Sequence, residues 1–166
     1  MSTTDNLKEA FAGESQANRK YLAFAKKADK EGLSQVARLF RAAAEAETVH
    51  ALAHFRVLGG VKSTAENLEA AVAGEAFEFE SMYPKFVAEA QAEGNKAAEM
   101  TCANAMAVEK VHFDLYSGAL AAVKAGGDLP AAAIYVCDIC GNTVIGEAPD
   151  ECPVCKAKKE HFFEVK

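Results

Sequence analysis

Between Thr4 and Lys124 the chain holds a single proline, Pro84, within long runs rich in alanine and glutamate, a composition that favours helices over strands. After residue 128 the punctuation changes, because four of the five cysteines and three of the four prolines lie there. Gly126-Gly127-Asp128-Leu129-Pro130 ends any helix that reaches it. The division expected is a helical domain over 1–125, a linker over 126–133 and a small module over 134–166. The module's 33 residues are too few to hold a hydrophobic core unaided, and units of that size are held by a metal or by disulfides.

The helical part divides into four segments, 4–30, 33–58, 64–93 and 95–124, with Gly32 and Gly94 at two tight turns. This predicts an all-α four-helix bundle. Spacing by threes and fours puts Leu7, Phe11, Glu14, Asn18, Tyr21 and Ala25 on one stripe of the first helix. The second helix aligns Phe40, Ala43, Glu47, His50 and His54. The third aligns Val72, Glu75, Phe79 and Met82, with Glu78 one turn beyond Glu75, and the fourth aligns Ala105, Glu109, His112 and Tyr116. Every helix therefore carries ionisable groups at mid-length on its apolar face. Counted from the turn glycines at about 1.5 Å per residue, Glu14, Glu47, His50, Glu75, Glu78, Glu109 and His112 share one height. The two hairpins resemble each other, which suggests a weak internal repeat.

Five carboxylates in one buried layer cannot all stay ionised without counter-charge, since each unpaired buried ion costs several kcal/mol. Lys and Arg are missing from these stripes. Two metal ions are the natural counter-charge, and one Glu from each of two helices with Glu-x-x-His from each of the other two is the ligand set of dinuclear carboxylate bundles. The i, i+3 spacing aims both side chains of Glu-x-x-His at one spot. A lone Glu-x-x-His on a glutamate-rich helix is usually a surface accident; two at matched heights opposite further inward glutamates are not. Oxygen-rich ligation with two imidazoles suits iron or manganese better than structural zinc. His54 reads as a neighbour of the ligands or a satisfied core histidine, and Cys102 as a small core residue.

In the module, Cys137-Asp-Ile-Cys140-Gly and Cys152-Pro-Val-Cys155, eleven residues apart, form a pair of metal knuckles. Four thiolates suit zinc or a single iron equally, and disulfides are the weaker alternative in a cytosolic chain. Tyr135, Phe162 and Phe163 flank the knuckles. Gly141 follows the first knuckle, where a positive φ is commonly needed, while Lys156 follows the second.

The net charge of −6 repels phosphate backbones, so nucleic acid is excluded as a partner. No run free of Asp, Glu, Lys and Arg exceeds nine residues, whereas a spanning helix needs about 20 apolar ones. The start, Met1-Ser-Thr-Thr-Asp-Asn-Leu-Lys-Glu, lacks an apolar export core. No membrane association is expected, and a cytoplasmic location is.

Taken with Gly74-Glu75-Ala-Phe-Glu78-Phe-Glu-Ser-Met82-Tyr83-Pro84 on the third helix, these motifs resemble the rubrerythrin family along essentially the whole chain. The resemblance implies a ferritin-like di-iron bundle followed by a rubredoxin-like domain that holds one iron on four cysteines. It implies that Glu47 and Glu109 bridge the irons, that Glu14 is terminal on one, and that Glu75 with His112 serves the other. Glu78 matches an extra carboxylate that trades places with the histidine matching His50 when the site is reduced. Tyr21 and Tyr83 match tyrosines that hydrogen-bond near the irons. The activity implied is reduction of hydrogen peroxide to water, in protection against oxidative stress. Electrons would enter through the thiolate iron from a donor such as rubredoxin or its NAD(P)H-dependent reductase. Zinc can occupy either site on heterologous expression. Lys156 departs from the family, where many members have glycine.

Ferritin-like bundles run their second and third helices parallel, so the link between them must travel about 40 Å for helices of this length. Gly59 to Ser63 spans only five residues, under about 20 Å fully extended. A homodimer in which helix hairpins are exchanged between copies is therefore expected, with an up-down-up-down bundle as the alternative. Against the peroxidase stand a ferroxidase or iron-storage protein, and a zinc-ribbon interaction module on an inert bundle. Storage has no use for a thiolate relay, and the zinc-ribbon reading requires a colourless protein.

Overall fold

A computed structural model describes residues 2–166. The chain forms two compact units, one ending at Lys62 and the other running from Ser63 to Lys166.

The first unit is a helical hairpin of α1 (Thr3–Lys30) and α2 (Ser34–Val57). Ser2 caps α1, its hydroxyl accepting from the Asp5 amide while the Asp5 carboxylate accepts from the Ser2 amide, which satisfies two donors that the helix start leaves free. Gly32 makes the turn at a φ of +76°, a conformation cheap only for glycine. Alanines fill the seam: Ala25 and Ala28 of α1 and Ala37, Ala44 and Ala51 of α2 are all buried. Such small side chains let two helices approach closely. Asn18 is buried in the same seam, its amide donating to the Ala44 carbonyl at 2.7 Å and to Thr48 Oγ1 at 2.8 Å. Those bonds fix the register of α1 on α2.

The second unit starts with α3 (Thr64–Phe77), capped by Ser63 and Glu66 in the same reciprocal way as α1. The expected continuous helix over 64–93 is interrupted by a π-helical turn at Glu78–Met82, after which α4 (Tyr83–Ala92) resumes. Pro84 supplies the cause. It has no N–H for the Glu80 carbonyl and its ring would strike that carbonyl in an α-turn; the wider turn relieves both conflicts. Gly94, at a φ of +69°, leads into α5 (Lys96–Lys124).

The module folds around β1 (Ile134–Cys137), β2 (Thr143–Ile145) and β3 (Phe162–Val165), an antiparallel sheet in the order β2-β1-β3. It rests on α5 of its own unit. A Cβ placed on Gly141 would lie 3.8 Å from Val108 Cγ1, and Val108 is 2% exposed. A cavity of about 310 Å³ opens beside this contact, with Leu68, His112, Tyr116, Ile134 and Thr143 on its wall. Among the described residues no helix is long and apolar enough to cross a membrane.

Candidate metal centres

Most of the ionisable residues singled out on the helix stripes come together in two groups, one in each unit. In the hairpin, ligand atoms of Glu14, Glu47 and His50 lie within 4.8 Å of one another. Glu14 comes from mid-α1, and Glu47 and His50 from successive turns of α2. His50 Nδ1 is 3.0 Å from Glu47 Oε2, and its ring is 54% exposed. The Glu14 carboxyl is held above its ordinary range, first by its hydrogen bond with Glu47 and then by burial, while Glu47 is held below its range by Glu14 and His50.

The second unit repeats the pattern with Glu75, Glu109 and His112 within 4.8 Å. His112 Nδ1 lies 2.9 Å from Glu109 Oε2 and 3.9 Å from Glu75 Oε2. Burial, and then the neighbouring Glu109 charge, pushes Glu75 up to about 7. Glu78, on the π turn, is raised by burial and by Glu109. Tyr83, just after that turn, is raised by burial and then by Glu109, Glu78 and Glu75, so its hydroxyl keeps its proton beside the carboxylates. Tyr21, on α1, packs among Phe24 and Phe40, with ring centroids 6.3 and 6.2 Å away. Each triad is thus negative charge gathered with no Lys or Arg among its members, and the donor chemistry fits a divalent transition metal.

In the module the sulfurs of Cys137, Cys140, Cys152 and Cys155 cluster within 4.8 Å. Cys137 and Cys155 Sγ are 3.7 Å apart, and Cys140 and Cys152 Sγ 3.6 Å. A tetrahedron of metal–sulfur bonds of about 2.3 Å has edges of about 3.75 Å, so the cage fits one ion. All four thiols are free, at separations well beyond the roughly 2.05 Å of a disulfide. The two knuckles mirror each other: Cys137 N–H donates to the Asn142 carbonyl at 2.9 Å and Cys152 N–H to the Ala157 carbonyl at 2.7 Å. Burial raises Cys140 and Cys155. Cys152, although burial opposes it, is lowered by the amides of Cys155 and Val154 and by Cys140. Of the flanking aromatics, Tyr135 and Phe162 are partly covered, whereas Phe163 is 53% exposed.

One residue of this region escapes sequence reasoning. Thr143 on β2 meets His112 Nε2 through Oγ1 at 3.0 Å, a contact that depends on how the module lies on α5. No periodicity or motif marks it.

The family model for Rubrerythrin matches residues 5–120, and that for the Rubrerythrin, rubredoxin-like domain matches residues 135–163. Rubrerythrin-2 of Clostridium acetobutylicum is 33% identical, over 96% of this chain and 95% of its own. Nigerythrin of Nitratidesulfovibrio vulgaris is 36% identical, over 97% of this chain and 85% of its own. A solved structure of fully reduced, all-ferrous nigerythrin is similar with a TM-score of 0.59 at 35% identity, covering 99% of this chain and 87% of that one.

Proposed function

Because the chain belongs to the rubrerythrin family, with its di-iron carboxylate site and rubredoxin-like four-cysteine site, we propose that it is a peroxidase reducing hydrogen peroxide to water. Electrons enter at the four-cysteine centre. The observation that carries this reading is the coexistence of two matching Glu-Glu-His triads with a thiolate cage resting on the helix that bears one of them.

By the family resemblance, Glu47 and Glu109 would be the ligands shared by two irons, Glu14 would serve one and Glu75 with His112 the other. Glu78 and His50 would serve as alternative ligands in the two redox states, and the position of Glu78 on the π turn supports that role, since such turns are frequent at functional sites. His50 is the most exposed ligand of its triad, as a part-time ligand would be. When bound, two adjacent ferrous ions supply the two electrons that reduction of the O–O bond needs. The protein's own groups hold the charge and the protons. One hydrogen peroxide, two electrons and two protons give two waters. Glu75, raised to about 7 in the absence of metal, would release its proton when a cation binds. Tyr83 is neutral beside Glu78 and Glu109, and by the family resemblance it and Tyr21 would hydrogen-bond near the irons.

The working unit is a homodimer in which the hairpin of one copy completes the helices of another. The five-residue link from Gly59 to Ser63 supports this, as do apolar side chains left in solvent on both units: Leu39 is 69%, Val49 66% and Met100 65% exposed. Size exclusion of the iron-loaded protein should give the dimer mass; a monomer with an intact di-iron site contradicts the exchange. The donor is a rubredoxin or its NAD(P)H-dependent reductase, and the compartment is the cytoplasm, where thiols remain reduced.

The test is to purify the protein from iron-replete cells and follow its visible absorption. A red protein that bleaches on reduction, recovers with peroxide and consumes peroxide at the expense of NAD(P)H through a rubredoxin supports the proposal. A colourless protein holding zinc alone in the cysteine cage, with no peroxide consumption, supports the zinc-ribbon reading instead.

A further inference from the structure

We propose that Thr143 is a positioning residue for the carboxylate centre: its hydroxyl fixes which ring nitrogen of His112 is free to bind metal. The inference rests on His112 being a ligand, as proposed above. Counting protons assigns the bonds. Thr143 Oγ1 lies 3.2 Å from the Gly141 carbonyl and 3.0 Å from His112 Nε2. A threonine hydroxyl has one proton, and a carbonyl can only accept. That proton belongs to the Gly141 bond, so Thr143 accepts from His112 and Nε2 must carry the ring's hydrogen.

The other ring nitrogen then faces the acids. Nδ1 lies 2.9 Å from Glu109 Oε2 and 3.9 Å from Glu75 Oε2. A cation held by Glu109 and Glu75 would find the lone pair on Nδ1 already facing it. With the tautomer set in advance, no ring flip or proton shuffle stands between the empty and loaded forms. Partners of this kind on a ligating histidine are worth about 10–100-fold in metal affinity.

The same hydroxyl has a second consequence. Thr143 lies three residues beyond Cys140, and Gly141, whose carbonyl it holds, follows that cysteine directly. Two hydrogen bonds therefore tie the first knuckle to His112 within one chain. The residue that orients the imidazole also seats the thiolate module on α5.

The test uses the full-length protein, cobalt(II) as the affinity probe and a zinc-loaded sample for NMR. Wild type should show a hydrogen-bonded, slowly exchanging imidazole Nε2–H proton from His112. Thr143→Val, which keeps the shape and removes the hydroxyl, should lose that signal and weaken cobalt binding at the carboxylate centre about 10–100-fold. The thiolate-to-cobalt charge-transfer bands of the cysteine cage should remain, reporting an intact module. Thr143→Ser should restore both the signal and the affinity. Wild-type cobalt affinity and a retained Nε2–H signal in Thr143→Val would overturn the proposal. His112→Ala separates this from failure of the metal-centre reading. If His112→Ala weakens cobalt binding while Thr143→Val does not, only the role of Thr143 is wrong; if neither does, His112 is not a ligand.

Discussion

Gly141 and Lys156 stand at equivalent positions in the two cysteine knuckles. The amide of each donates to the carbonyl of the first cysteine of its pair, at 2.8 Å to Cys137 and 3.0 Å to Cys152, and their φ angles are +86° and +64°. Lys156 is the one non-glycine residue with positive φ among those described. A left-handed conformation costs a residue with a Cβ on the order of 1 kcal/mol. Lys156→Gly should therefore stabilise the loaded module by about 1 kcal/mol, less the entropy that glycine adds to the unfolded chain. Denaturant unfolding followed at the thiolate-to-metal absorption measures it, and a loss of stability would mean that the Lys156 ammonium, 3.2 Å from the Pro153 carbonyl, contributes more than the strain costs.

Glu75 makes the metal-free protein sensitive to pH. Its carboxyl is raised to about 7 in the fold, chiefly by burial, against an ordinary value of 4.5. The folded state therefore holds a proton that the unfolded chain has released between those values, and stability falls as pH rises through that window. The thermal midpoint of apo protein should drop between about pH 5 and pH 8. Glu75→Gln should flatten much of that slope, and an unchanged slope would remove Glu75 as its source.

Metal uptake should show the complementary trend. Loading displaces the proton that Glu75 holds below about pH 7, so cobalt affinity should climb with pH up to there and level off above it. Proton release measured by calorimetry in buffers of different ionisation enthalpy checks this. Uptake below pH 7 without proton release would contradict a protonated Glu75 in the metal-free centre.

Glu78→Ala should impair peroxide turnover while leaving most metal bound, because the other six proposed ligands of the carboxylate centre remain. Metal analysis beside a peroxide-consumption assay separates the two effects. Loss of both irons would show that Glu78 is a permanent ligand rather than an exchanging one.

Cys152→Ser should abolish turnover driven by the protein donor, while chemically reduced di-iron protein still reacts once with peroxide. Stopped-flow absorption distinguishes a single turnover from none. Steady-state activity retained with the donor would remove the cysteine centre from the electron path.

The triads could be read in advance because helix periodicity decides which side chains share a face. Glu14, Glu47, His50, Glu75, Glu109 and His112 each replace an apolar residue on a core stripe, and the structure gathers them as two groups of three. The knuckles were legible for a similar reason, since a Cys-x-x-Cys turn is a local geometry. The π turn at Glu78–Met82 was not, because α and π turns accept the same residues and only Pro84 marks the place. Thr143 was hidden more deeply. Its partner His112 is 31 residues away in sequence, and their meeting depends on the packing of the module against Val108.

The most direct test is anomalous diffraction at the iron edge from crystals of the iron-loaded protein. Two peaks about 3.5–4 Å apart, enclosed by Glu14, Glu47, Glu75, Glu109 and His112, are predicted, with a third inside the four sulfurs. Density for iron in the cysteine cage alone, with the glutamates turned into solvent, would contradict the account.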